Sequence, residues 1–430
     1  MTTAELSWIF LAVSAVATML AGLSRNRVPV AASVATAAVL QIAFAALTSR
    51  RYTPLDVAVY FRTTGELLLQ GKDPVHNMLG RQWNFLELMP AIHALELRSG
   101  LAWVYAVKIV PILCDLVLVV LVARIATRDG RTRALQYAVN PVSLLVVALH
   151  GQVEPVALAL ALGGMLLIKK DRPVLGGILL GAAVAAKTWP VVILLAVLPL
   201  RNVPRLVRIV LGAAVVPISC LVLGVLFLDT APIADLRHMA SYSSYVNLWT
   251  WSAALINLGH KGMLGYASSL GPLGSALIAV GVATTLWLLR RRDAEVRVLG
   301  VLTAVLVCTS GFGPQYLLWV LPLMIALSGP VRTWYTVAAA GWAGIFYLSP
   351  FPTSGINVYT LRGMSWLPAA LLLMALIQLV RDRIGADPDV PTGVGQSRDA
   401  DRPLDHATST DSGTPPDQTI PVGVPAPAED

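Results

Sequence analysis

The sequence predicts an all-α polytopic membrane protein with about 11–13 transmembrane helices. Three observations predict it. Of 430 residues, 56% are apolar or aromatic and only 13% are charged, against about 25% charged in an average soluble protein. Mean hydropathy is +0.70. Apolar stretches approaching the roughly 20 residues that a bilayer core requires recur between residues 7 and 380. These figures exclude a soluble globular domain, a disordered chain and a small disulfide scaffold.

Residues 1–48 hold spans near 7–23 and 29–48. The opening MTTAELS has no basic residue and contains Glu5, unlike a secretory signal. Residues 49–100 form a long polar loop. Residues 101–380 form the helical core, with spans near 101–126, 134–149, 154–168, 173–186, 189–200, 207–228, 270–289, 298–312, 315–328, 333–348 and 364–380. Several are short, and those between 134 and 200 read equally as broken or re-entrant helices. The tail, 381–430, carries four arginines against ten acids, a net −6, and is rich in Pro, Gly, Ser and Thr. It cannot bury enough apolar surface to offset the entropy of ordering, so it reads as disordered. No internal repeat is evident, which weighs against transporters built from inverted repeats.

Charge placement sets the expected orientation. Arg25 and Arg27, Arg124 to Arg133, Lys169, Lys170 and Arg172, Arg201, Arg205 and Arg208, Arg290 to Arg297 and Arg332 fall in loops on one side. Positive loops stay inside, so this side and the tail read as cytoplasmic in a cell membrane. The formal charge of +8 and pI near 9.6 follow from these loops rather than from nucleic-acid binding. The opposite face receives residues 49–100, 150–155, 229–269, 311–316 and 349–363. It gathers His76, His93, His150, His238 and His260, and the acids Asp56, Glu66, Asp73, Glu87, Glu96, Glu154, Asp229 and Asp235. Chemistry is therefore expected on the extracytoplasmic side.

Four segments there could carry it. In TPLDVAVYFRTTGELLLQGKDP, Pro54 precedes a short helix with Asp56, Tyr60 and Thr63/Thr64 on one face, and Gly71 and Pro74 end it. A carboxylate at the water–lipid boundary can serve as a general base toward a hydroxyl, or merely favour the helix dipole. In NPVSLLVVALHGQVEP, two apolar helices flank a turn bearing His150, Gln152 and Glu154, which is either functional or a solvated hairpin tip. In GGILLGAAVAAKTWP, Lys187 interrupts an apolar run. It needs an anionic partner, a lipid phosphate among the candidates, or a route to the headgroups. In GFGPQYLLWVLPL, glycines and proline break the backbone before Gln315 and Tyr316, which line a cavity or join an aromatic belt with Trp319.

Lys108 and Asp115 share a face of one span and read as paired or locally satisfied charges. Arg237, His238, Lys261 and Arg362 are outer cations able to bind phosphate or to remain solvated. Cys114, Cys220 and Cys308 lie in apolar runs as buried thiols, with no zinc spacing.

Together, DVAVYFRTTGELLLQGKDP, NPVSLLVVALHGQVEP, LGGILLGAAVAAKTWPVVILLAVLP and GPQYLLWVLPL, in this order over residues 50–380, resemble the GT-C superfamily of membrane glycosyltransferases. The nearest likeness is to prokaryotic mannosyltransferases that use polyprenyl-phosphate sugars. The resemblance implies a GT-C-like fold with extracytoplasmic loop helices. It implies a polyprenyl-phosphate-linked donor and a glycan or glycolipid acceptor of the cell envelope, with inversion at the anomeric carbon. Asp56 matches the catalytic base; Lys187, Arg362, Arg237 and Lys261 are the cations for the donor phosphate. Tyr60, His150, Gln152, Glu154, Gln315 and Tyr316 fall at substrate positions. Glu154 stands where the family turn commonly has Asp. No DxD pair occurs outside the tail, so no metal and no cofactor is expected. The competing readings are a transporter or lipid flippase, and a non-catalytic assembly subunit.

Overall fold

The computed structural model describes residues 1–24, 26–78, 83–228, 230–240, 249–258, 263–327, 329, 331–348 and 363–384, without the side chains of 240, 256–258, 263–269 and 383–384. Contacts divide the chain into residues 1–386 and residues 387–430. The expected disordered tail, from residue 385 on, lies outside the described residues, as do Arg25, Asp229, His260, Lys261 and Arg362.

Among the described residues every regular element is helical. Helices α1 (Thr3–Ala21), α2 (Val30–Thr48) and α6 (Trp103–Ile125) lie within a few residues of the predicted spans. So do α10 (Pro173–Ala186), α12 (Val203–Phe227), α16 (Ala294–Cys308) and α18 (Val331–Leu348). The loop helices α3 (Arg62–Leu69), α4 (Pro74–Asn77) and α5 (Leu88–Arg98) fill the first long loop, and α13 (Pro232–Ala240) and α14 (Thr250–Leu258) the second. The remaining elements are α7 (Gly130–Ala138), α8 (Pro141–Ser143), α9 (Glu154–Lys169), α11 (Val191–Val197), α15 (Met263–Leu288), α17 (Leu317–Leu327) and α19 (Trp366–Ile384).

Five of the described segments are long and apolar enough to cross a bilayer: Thr3–Ser24, Val30–Thr48, Trp103–Ile125, Val203–Phe227 and Leu270–Leu288. Several other predicted spans are shorter or broken. The 134–149 run is not one helix. α7 ends at Ala138, the Asn140 side chain accepts from the Val142 N–H, and a π-helix runs over Leu144–His150. The 189–200 run contributes only the seven residues of α11, because Pro190 sits at its start and Leu198 is extended at its end.

Close helix contact comes from small residues. A Cβ on Gly181 would lie 2.1 Å from the Ala213 carbonyl oxygen, and one on Gly177 would lie 2.4 Å from that of Ile209. Only glycine lets α10 and α12 approach so nearly, the small-xxx-small device of membrane helices. Inside the bundle, Asp115 is buried and accepts from Gln41 (2.8 Å), Tyr137 (2.7 Å) and Ser143 (2.7 Å). It is locally satisfied, and its expected neighbour Lys108 belongs to another network.

The loops with predicted inward charge touch one another. Lys169 pairs with Glu295 at 2.6 Å, Arg205 donates to the Ile168 carbonyl, and Arg292 donates to that of Asp382. Asn26 accepts from the Arg131 N–H at 2.8 Å.

Candidate active site

Two π-helical stretches mark the site. The first, Asp56–Phe61, begins on Asp56, and the second, Leu144–His150, ends on His150. π-turns are rare and cluster at functional sites because they rotate side chains out of α-register. Pro54 starts the first: its carbonyl accepts from the N–H groups of Val57 and Ala58. Trp103 Nε1 donates to the Val57 carbonyl at 2.7 Å, so the residue after Asp56 is tied to α6.

The second stretch is closed by Gly151 at φ +77°, a left-handed conformation that favours glycine. The Gly151 N–H then donates to the Val147 carbonyl and the Gln152 N–H to that of Val146. Lys108 secures this end. Its Nζ donates to Ser49 Oγ (2.7 Å) and to the carbonyls of Ala148 (2.7 Å) and Leu149 (2.8 Å). A Cβ on Gly151 would stand 3.1 Å from Lys108 Cγ.

This backbone aims a chain of side chains. Gln152 Nε2 donates to Asp56 Oδ2 at 2.7 Å and lies 2.8 Å from His150 Nε2. His150 Nδ1 lies 2.7 Å from the Tyr347 hydroxyl. One assignment of hydrogens satisfies all of these contacts. The two amide hydrogens of Gln152 go to Asp56 and to His150 Nε2, so His150 is neutral and carries its proton on Nδ1, toward Tyr347. His150 Nε2 lies 3.5 Å from Asp56 Oδ2, and the Gln152 amide bridges the two. Asp56 is one-fifth exposed, whereas His150 is nearly fully buried.

Glu154 and Lys187 meet from consecutive helices. Glu154 opens α9, and Lys187 follows α10 in extended conformation, φ −160° and ψ 139°. Lys187 Nζ donates to Glu154 Oε1 in a buried ion pair, while Glu154 Oε2 has no hydrogen-bond partner. The Lys187 ammonium also lies 5.3 Å from the Phe85 ring centroid and 5.9 Å from that of Tyr316, within cation–π range.

Asp56, Tyr60, Gln152, Lys187, Gln315 and Tyr316 all line one cavity of about 500 Å³, within the usual range for small-molecule sites. His150 and Glu154 lie behind its wall and orient Gln152 and Lys187. Thr63, Thr64 and Arg237 do not line it, and Arg237 is exposed on α13. Sequence reasoning missed Trp189 and read Trp319 only as part of an aromatic belt; both line the cavity. Trp189 stacks on Trp319 at 4.2 Å, and Tyr316 lies 4.4 Å from Trp319, making an aromatic wall. The indole N–H groups of Trp189 and Trp319 are buried without a hydrogen-bond partner.

The model of glycosyltransferase family 87 matches residues 88–311, just over half of the chain. The protein belongs to that family. It is a membrane glycosyltransferase of the GT-C type. His150, Gln152, Glu154 and Lys187 of this family 87 enzyme fall inside the match; Asp56 and Gln315 fall outside it and join them in space. No match to a curated protein was found.

Lys108, which the sequence marks only as a paired or locally satisfied charge beside Asp115, is a positioning residue. In Lys108→Met, three buried acceptors lose their donor, and each such loss costs about 1–3 kcal/mol. Thermal unfolding in detergent should fall accordingly. The turnover rate should drop at least tenfold with little change in donor KM, because Gln152 no longer holds Asp56 in register. Unchanged stability and turnover would remove Lys108 from this role.

Proposed function

We propose that this glycosyltransferase moves a monosaccharide, mannose, from a polyprenyl-phosphate donor to a glycan or glycolipid acceptor of the cell envelope, on the extracytoplasmic side and with inversion. The observation that carries the reading is the placement of Asp56, steadied by Gln152, in one cavity with Lys187. The acceptor hydroxyl attacks the anomeric carbon on the face opposite the phosphate. Its proton passes to Asp56 as the new C–O bond forms. The bond from the anomeric carbon to the phosphate oxygen breaks, and polyprenyl phosphate leaves with the electron pair. Lys187 is the cation placed to stabilise that charge; its ion pair with Glu154 keeps it neutralised until the phosphate arrives.

Tyr60, Gln315, Tyr316 and the tryptophan wall suit a sugar, which offers hydroxyls to polar groups and C–H faces to rings. A lipid-linked donor needs no glycine-rich phosphate loop, and the sequence contains none. The contacts among the basic loops support placing them together on the cytoplasmic side, away from the cavity. Family membership favours this reading over a transporter or flippase.

The test is a donor panel. Purified protein is supplied with radiolabelled polyprenyl-phosphate mannose, polyprenyl-phosphate arabinofuranose and a nucleotide-activated mannose, with envelope glycolipid as acceptor. Transfer is expected from the lipid-linked mannose alone. Transfer from the nucleotide sugar alone would overturn the donor class, and preference for the pentose would overturn the sugar.

A further inference from the structure

A second cluster of chemically capable groups lies outside the cavity, where α4 meets α13. Asp73 caps α4: its Oδ1 accepts from the Val75 N–H at 2.8 Å. His76 Nδ1 lies 2.7 Å from Asp73 Oδ2 and, at the same distance, from Asp235 Oδ1. The three ligand-type atoms lie within 4.8 Å of one another. One ring nitrogen carries at most one hydrogen, so it cannot bond both carboxylates well.

The carboxylates are nearly inaccessible. The Asp73 and Asp235 side chains are 4% and 1% exposed, and Asp235 Oδ2 has no hydrogen-bond partner. Glu87 adds a third negative group. It is 8% exposed, its Oε2 is also unpartnered, and it packs against the Gly224 end of α12. Burial, with repulsion from Asp73 and Asp235, pushes the Glu87 carboxyl up to about 7. His76 pairs with both Asp73 and Asp235, and the His238 ring lies 6.2 Å from that of His76. Buried acids in this state need a cation or shared protons.

The geometry points to a zinc site formed by Asp73, His76 and Asp235, which clamps α4 to α13. One imidazole nitrogen and two carboxylate oxygens are a borderline donor set that suits zinc better than calcium or magnesium, which prefer oxygen alone. The His76 side chain is 45% exposed, which gives an ion a way in. Ligands of tetrahedral zinc stand about 3.4 Å apart at bond lengths of ~2.1 Å. The half-exposed ring, on a four-residue helix, has room to swing outward by that amount. The chain that leaves α4 continues to Met78 and returns at Trp83 and Phe85, all of which line the cavity. A clamped α4 therefore holds one wall of the active site, a structural role that does not depend on which donor or sugar is used.

The test uses full-length protein purified without a polyhistidine tag, stripped with chelator and titrated with zinc chloride. Elemental analysis after desalting should give one zinc per chain, and zinc should raise the thermal midpoint. Magnesium or calcium at equal concentration should do neither. Asp235→Asn and His76→Ala should each weaken zinc binding at least tenfold and abolish the thermal shift. If Asp235→Asn fails to fold, the half-exposed His76→Ala decides the matter. Substoichiometric zinc in the wild type, or uptake and thermal shift unchanged in His76→Ala, would overturn the site. So would a midpoint raised only by acid and never by zinc, the signature of protons shared among the carboxylates.

Discussion

Asp56→Asn is expected to reduce sugar transfer by about 10²–10⁴-fold, the range that general-base catalysis contributes. The substitution is nearly isosteric. The Asn oxygen can still accept from Gln152 Nε2, which now donates to Asp56 at 2.7 Å, so the cavity wall keeps its shape. What is lost is the ability to take a proton as the acceptor oxygen bonds to the anomeric carbon. The deficit should therefore appear in turnover, with donor KM within a few-fold of wild type, and thermal unfolding should change little. Asp56→Glu restores the carboxylate but advances it by one methylene, a displacement near 1 Å that costs about 100-fold. Transfer by Asp56→Asn at the wild-type rate, measured with radiolabelled lipid donor, would show that Asp56 is not the base.

Much of the helical frame was legible because apolar runs of sufficient length have one economical solution in lipid. The first two spans and the one at 101–126 match α1, α2 and α6 to within four residues at each end. The pattern fails where polar capping interrupts an apolar run. Asn140 and Pro141 stop a helix inside residues that are apolar on both sides, and periodicity does not register a cap of one residue. The π-helical turns are invisible for a related reason: Asp56–Phe61 and Leu144–His150 have ordinary compositions, and only long-range anchors such as Trp103 and Lys108 hold them.

The Lys108 and Asp115 pair shows the limit of face arithmetic. Seven residues place both on one side of α6, but they are about 10 Å apart along its axis. They cannot meet, and each finds partners at its own depth: Ser49 and two carbonyls for Lys108, and Gln41, Tyr137 and Ser143 for Asp115. The site motifs were legible as separate strings. Their roles diverged once folded, because Gln152 reaches the cavity while His150 and Glu154 stay behind it. The Asp73–His76–Asp235 cluster joins positions far apart in the chain, which local spacing cannot reveal.

Lys187 and Glu154 offer a cycle that separates stability from chemistry. Lys187→Met strands a fully buried carboxylate, and breaking a buried ion pair from one side costs about 3–5 kcal/mol. Glu154→Gln is milder, since an amide oxygen can still accept from the ammonium. The double variant Lys187→Met with Glu154→Gln removes both charges, and neutralised pairs of this kind are often near neutral in stability. Its thermal midpoint should return most of the way to wild type. Transfer should not return, because among the described residues of the cavity wall the leaving phosphate then meets no cation; a loss of 100-fold or more is expected. Glu154→Gln alone should retain transfer and bind the donor at least as tightly, since it leaves the Lys187 charge unshared. Recovery of both stability and transfer in the double variant would make the pair purely structural. The phosphate would then have to be held by another cation.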